Sequence, residues 1–312
     1  MSSAIAMRPA CSKPPRKLRT VLAAVVLGAA ATAALGQISP REAARSEVCR
    51  DRPPVADLSV DSRVIVIGEM HGTHEFPRLA QRVLCQIASP TRPTILGLEI
   101  DAKSLLAMQD FLNPRSGRHG DQRSLMKEGE QWRLPGDGRG SVAMQALISS
   151  AMELQRAGYK VYIDAFSMGS ADLPFPLTAE EEVPDVQTEA FMANRIQYRL
   201  DAYPDARYVA LVGGLHAYKT EGRARRPDFK SMVVRLQKGT AVQVVSGAWL
   251  KGSAYLCKMA AGALSCRDHA LSTGDQSVPD DKSDIRVDLG ELTASSPFVS
   301  TLAEPAAIGQ TR

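Results

Sequence analysis

The sequence predicts an α/β fold: a largely parallel central sheet with helices on both faces, a helical and loop insert after the second strand, and a short C-terminal hairpin region. Three observations predict it. Near-continuous apolar, β-branched runs such as 63–67 and 208–212 read as strands buried on both faces. These runs alternate with amphipathic stretches of helical period, the pattern of a parallel sheet covered on both sides. Two of the strands run into a Gly-x-x-His turn. The first is Gly68-Glu69-Met70-His71, continued by Gly72-Thr73-His74-Glu75, and the second is Gly213-Gly214-Leu215-His216.

Residues 1–36 stand apart from the fold. Arg8, Lys13, Arg16, Lys17 and Arg19 precede an apolar run at 21–35, and Ala34-Leu35-Gly36 offers a small-x-small cleavage site. This is the pattern of a bacterial-type secretory signal peptide, which places the mature chain in the periplasm or outside the cell. The run falls short of the about 20 residues of a spanning helix, so the membrane is met only during export; a retained anchor is the alternative. Cys11 precedes the run, where no lipid-attachment cysteine belongs. Taking the five leader cations from 38 basic side chains leaves 33, against 34 acidic ones, so nothing supports nucleic-acid binding.

The elements follow in order. Residues 37–61 are a polar, proline-bearing arm, and 62–303 form a single α/β domain before a flexible tail at 304–312. After the strand at 63–67, Pro77 suits a first helical turn, and Leu79, Val83 and Ile87 form one stripe of a helix that fades by Ser89-Pro90. A strand at 94–99 ends on Glu99, and 102–112 is helical. Residues 113–140 break the rhythm with Gly, Arg and charge around Trp132, and a long irregular segment of this kind is more often functional than accidental. A helix at 142–156 and a strand at 159–165 follow, then a proline-rich loop at 167–184. A long helix at 186–203, a strand at 208–212, a helix at 229–237 and a strand at 241–246 complete the alternation. Short hairpin strands begin at Gly252. An even count of four cysteines in an exported chain points to disulfides. Cys257 and Cys266 bracket the hairpin and pair locally, which leaves Cys49 to join the arm to Cys85.

Glu69, His71, Glu99 and His216 each end, or lie just beyond, a buried strand. In a parallel sheet such ends converge on the edge where ligands bind. Two imidazoles and two carboxylates there support either of two chemistries. They form a general acid/base set that activates water, or His71, Glu99 and His216 hold a divalent metal that does so. Arg139, in a Gly-Arg-Gly-Ser loop, is a candidate clamp for an anionic substrate group. Asp164, His74 and Glu75 are further substrate-binding candidates. His119 and His269 lie in polar loops and read as structural. His74-Glu75-x-x-Arg78 lacks the second histidine of a zincin, no Gly-x-Ser-x-Gly elbow occurs, and no Gly-x-Gly-x-x-Gly follows a strand.

At these residues the chain resembles a superfamily that groups the erythromycin esterase-like enzymes, the ChaN-like haem-uptake lipoproteins and the TraB/PrgY/Tiki proteins. The matching set is Gly68-Glu69-Met70-His71, Glu99 in Gly97-Leu98-Glu99-Ile100, and Gly213-Gly214-Leu215-His216, in that order. His71-Gly72-Thr73-His74-Glu75-Phe76 is similar to the esterase-type extension. The esterase branch implies His and Glu activating water against an ester or lactone. The Tiki branch implies a divalent metal between the two Gly-x-x-His motifs and peptide cleavage. The ChaN-like branch implies a non-catalytic haem or iron-binding protein of the cell envelope, often with haem at the interface of a homodimer. The ChaN-like pattern also carries Arg-Asp ahead of Met-Ala, where this chain has Thr188-Glu189 before Met192-Ala193.

Overall fold

The computed structural model describes residues 39–59, 61–133, 136–168, 184–223, 226–260 and 263–302. The expected leader at 1–36, most of the expected loop at 167–184 and the expected tail at 304–312 lie outside the described residues.

Among the described residues, seven strands form one sheet. In chain order they are β1 Val64–Glu69, β2 Thr94–Leu98, β3 Val161–Ala165, β4 Arg207–Gly213, β5 Val242–Ala260, β6 Ala263–Ser272 and β7 Ile285–Leu292. The order β3-β2-β4-β1-β5 is parallel throughout, and β7 adds to β5 in parallel. β6 runs antiparallel, along the second half of β5. β1 and β4, the two innermost strands, are almost wholly buried, as their unbroken apolar runs require.

The helices are α1 Pro40–Val48, α2 Glu75–Ile87, α3 Ala102–Leu112, α4 Gln122–Glu128, α5 Glu130–Arg133, α6 Val142–Arg156, α7 Pro184–Ala202 and α8 Met232–Leu236. One core lies between the sheet and α2, α3 and α6, with Phe76, Leu79, Val83, Leu147 and Ile148 buried against Ile65, Ile67 and Leu98. Full burial of each such side chain stabilises the fold by about 1.5–3 kcal/mol. The second core, on the opposite face, packs Met192, Ile196 and Leu200 of α7 and Met232, Val233 and Leu236 of α8 against Val64, Val66, Tyr208 and Val212. The chain therefore leaves β1 toward one face and β4 toward the other. Their carboxyl ends, side by side, are the switch point at which an open α/β sheet forms its ligand crevice.

Three sequence expectations change here. The arm contains α1, which buries none of its side chains and so left no apolar stripe to read. It is tied down by the Cys49–Cys85 disulfide and by Arg45 Nη2, which donates to the Cys85 carbonyl at 2.6 Å. The irregular insert carries two short helices. Asp121 caps α4 through the Arg123 and Ser124 amides, and Trp132 of α5 is fully buried. The last strand does not stop at 246. Gly247 and Gly252 look like breakers, but β5 continues past them to Ala260, 19 residues in all, with register shifts against β7 around Trp249 marking an irregularity rather than an end. Cys257 and Cys266 face each other across β5 and β6 and are disulfide-bonded.

Candidate active site

β1 delivers Glu69 as its last residue, and the following turn places His71 beside it, with Nδ1 2.8 Å from Glu69 Oε1. The turn is held tightly. Thr73 Oγ1 donates to the Met70 carbonyl at 3.0 Å, and the Gly72 carbonyl accepts from the Tyr255 and Ser295 amides at 2.9 and 2.8 Å. Gly72 has φ +73°, and a β-carbon there would meet the Tyr255 carbonyl, so the turn requires glycine.

β4 delivers the second turn. Gly213 ends the strand, and residues 214–217 form a single 3-10 turn that carries His216. Its Nδ1 lies 2.6 Å from Oε1 of Glu189, on α7. Glu189 is 1% exposed, and its other oxygen accepts from the Met232 amide at the start of α8, also at 2.6 Å. A buried carboxylate with both oxygens engaged at a helix amino end is well compensated.

Glu99, just past β2, joins the two pairs. Its Oε2 accepts from the Gly213 amide at 2.7 Å and lies 3.6 Å from His71 Nε2. Its Oε1 lies 3.7 Å from His216 Nε2 and accepts from Arg139 Nη1 at 3.1 Å. The site is thus two carboxylate–imidazole pairs, Glu69–His71 and Glu189–His216, whose Nε2 atoms face one shared carboxylate. Gly213 leaves the space between them: a β-carbon on it would sit 2.9 Å from His71 Nε2.

The charges reinforce one another. Burial works against a charged His71, but Glu69 and Glu99 outweigh it and raise its pKa to about 9. Burial likewise opposes charge on His216, and the hydrogen bond to Glu189 with the charge of Glu99 raises its pKa in turn. Glu99 is pushed up by burial, yet His71, His216, Arg139 and the Gly213 amide hold its carboxyl below the usual range. At neutral pH His71 is an imidazolium and Glu99 a carboxylate.

The geometry does not fit the divalent ion that the Tiki-type resemblance implies. Both oxygens of Glu99 are already engaged, one of them by a guanidinium, and among the described residues no three His, Cys, Asp or Glu side chains are grouped to hold a metal.

No protein-family model and no curated protein matches the chain. Among solved structures it is similar to an erythromycin esterase, an EreC mutant in its open conformation, with TM-score 0.49 and 12% sequence identity over 69% of this chain and 77% of that one. It is also similar to a Bacillus cereus protein, with TM-score 0.47 and 11% identity over 82% of this chain and 99% of that one. A succinoglycan biosynthesis protein matches with TM-score 0.45 and 8% identity over 84% of this chain and 99% of that one.

The structure brings Glu69, His71, Glu99, His216 and Arg139 together and leaves three candidates elsewhere. Asp164 is paired with Gly97, short of the sheet edge, and its carboxylate is held by Arg199 at 2.7 and 3.0 Å and by the Tyr208 hydroxyl at 3.2 Å. His74 and Glu75 open α2 and fasten the segment after β7: the His74 amide donates to the Thr293 carbonyl, and Glu75 Oε2 accepts from the Thr293 amide, both at 2.9 Å. Arg195, midway along α7, also reaches Asp164 at 3.5 Å.

Two residues of the site escaped the sequence reading. Glu189 stood out only as a departure from the ChaN-like pattern. The signal that finds it is its place on the apolar stripe of α7, where Met192, Ala193, Ile196 and Leu200 follow at helical spacing and are all buried. Asp137, which grips Arg139 at 2.9 and 2.8 Å, sits in a turn sequence that gives no hint of a partner.

Proposed function

We propose that this chain is an exported hydrolase that activates water without a resident metal, acting on an ester, a lactone or a peptide. The observation that carries the reading is the shared carboxylate: two imidazoles, each backed by its own acid, present Nε2 to Glu99. Two disulfides fit an oxidising compartment. No described helix is long and apolar enough to cross a membrane.

The two histidines take different roles. Above its raised pKa, His216, with its Nδ1–H donated to Glu189, offers the Nε2 lone pair as general base. Since His216 Nε2 and Glu99 Oε1 are 3.7 Å apart, one water molecule fits at hydrogen-bond distance from both. His71, kept protonated by Glu69 and Glu99, donates from Nε2 to the oxygen that gains charge as the water attacks, and then to the leaving group.

The test is hydrolysis of p-nitrophenyl acetate, a panel of lactones and a mixed peptide library by the purified mature protein, with and without chelator. The expected result is turnover that survives chelation and is lost in both His71→Ala and His216→Ala. Turnover unchanged in either variant, or restored only by added divalent metal, contradicts the reading.

A further inference from the structure

We infer that Asp137 and Arg139 are positioning residues: the insert acts on the site by fixing Glu99 between the two imidazoles, and not by clamping substrate. The inference rests on the shared-site reading above and assigns the insert its part in it.

All three nitrogens of the Arg139 guanidinium meet a carboxylate. Nε and Nη2 make a two-pronged contact with the Asp137 carboxylate at 2.9 and 2.8 Å. Nη1 donates to Glu99 Oε1 at 3.1 Å and to the Glu99 carbonyl at 3.4 Å. Parallel bonds of this kind fix direction as well as distance. A substrate anion would compete with two carboxylates already bound to the guanidinium. Glu99 is gripped from the opposite side by the Gly213 amide. Arg139 and Gly213 together determine where both carboxylate oxygens lie, and therefore which atoms the imidazoles face.

The turn that carries the pair cannot drift. Gly138 has φ +90°, and a β-carbon on it would run into the backbone of Gly72, so the insert rests directly on the turn that holds His71. On one side of this turn, the Trp132 indole donates to the Ser104 carbonyl at 2.5 Å. On the other, Ser141 caps α6 through the Met144 amide and the Gly140 carbonyl accepts from the Phe298 amide at 2.9 Å. The insert is thus tied to α3, to α6 and to the His71 turn, and it meets the site through Arg139 on Glu99 and through the charge of Asp137 on His71.

The experiment has a readout that needs no substrate. Hydrogen exchange of the Gly213 amide, measured by NMR, reports whether Glu99 still accepts from it. In Arg139→Ala this amide should exchange at least about tenfold faster than in the wild type while β1 and β4 amides keep their protection. Added guanidinium ion should restore slow exchange by filling the vacated position, and Asp137→Asn should give an intermediate rate. Arg139→Lys, which keeps the charge and loses the fork, guards against a variant that does not fold. On an ester substrate kcat should fall with KM unchanged, and guanidinium should restore it. Unchanged Gly213 exchange in Arg139→Ala overturns the inference, as does a rise in KM with kcat unchanged, the mark of a substrate clamp. A wild type that hydrolyses nothing, with Gly213 exchange responding as described, overturns the hydrolase reading and leaves the positioning role supported.

Discussion

Replacing Gly213 by alanine tests the crowding at the centre of the site. Gly213 has φ −51° and ψ 139°, a conformation open to any residue, so the backbone carries no strain into the variant. The whole perturbation is one methyl group. It would stand 2.9 Å from His71 Nε2, 3.4 Å from Glu99 Oε2 and 3.5 Å from His216 Cδ2. The first distance is closer than packed carbon and nitrogen tolerate, so His71 must retreat by several tenths of an ångström. Overpacking of this kind costs about 1–3 kcal/mol of stability. The displaced imidazole and the blocked water position should lower kcat by about 10–100-fold, since a misplacement of about 1 Å costs about 100-fold. Gly214→Ala is the control: its methyl would meet the Ser277 backbone, which cannot yield as a side chain does, and should unfold the turn. The assay pairs kcat with thermal melting for both variants. Full activity in a folded Gly213→Ala protein would refute the reasoning.

Four further outcomes follow from the same geometry. The pH–rate profile should fall on its alkaline side near pH 9, where His71 loses its proton, and on its acid side where His216 gains one. The raised pKa of His71 adds stability that is present in full below its unfolded value of about 6.5 and is lost as pH rises through about 9, which thermal melting between pH 6 and 10 measures. Asp164→Asn should destabilise the protein by about 1–3 kcal/mol in chemical denaturation, because its arginine partners reach water, and leave kcat unchanged. Reducing Cys49–Cys85, which closes a separation of 36 residues, should cost about 3–4 kcal/mol on a chain-entropy basis, read by denaturation with and without reductant.

What was legible in the sequence depended on periodicity. The runs of β1 and β4 had to be buried on both faces, so a histidine just past each marked the sheet edge, and both turns do face Glu99. Asp164 was read by the same rule without the same outcome. It sits one residue short of the end of an outer strand, and its side chain turns onto α7, whereas Glu69 is the last paired residue of β1 and Glu99 lies just past β2. Glu189 was hidden because a carboxylate on a helix is usually solvated, and only its alignment with Met192 and Ile196 betrays burial. Arg139 was noticed for its charge, but its partner Asp137 depends on a turn fixed by glycine-to-backbone contact, which no local pattern encodes.

His71 and His216 share one carboxylate, Glu99. NMR titration of both imidazoles in the wild type and in Glu99→Gln measures this most directly. His71 should show a pKa of about 9 in the wild type, with the pKa values of both His71 and His216 falling in the variant. A His71 pKa at the ordinary imidazole value, or a variant in which only one histidine responds, would contradict it.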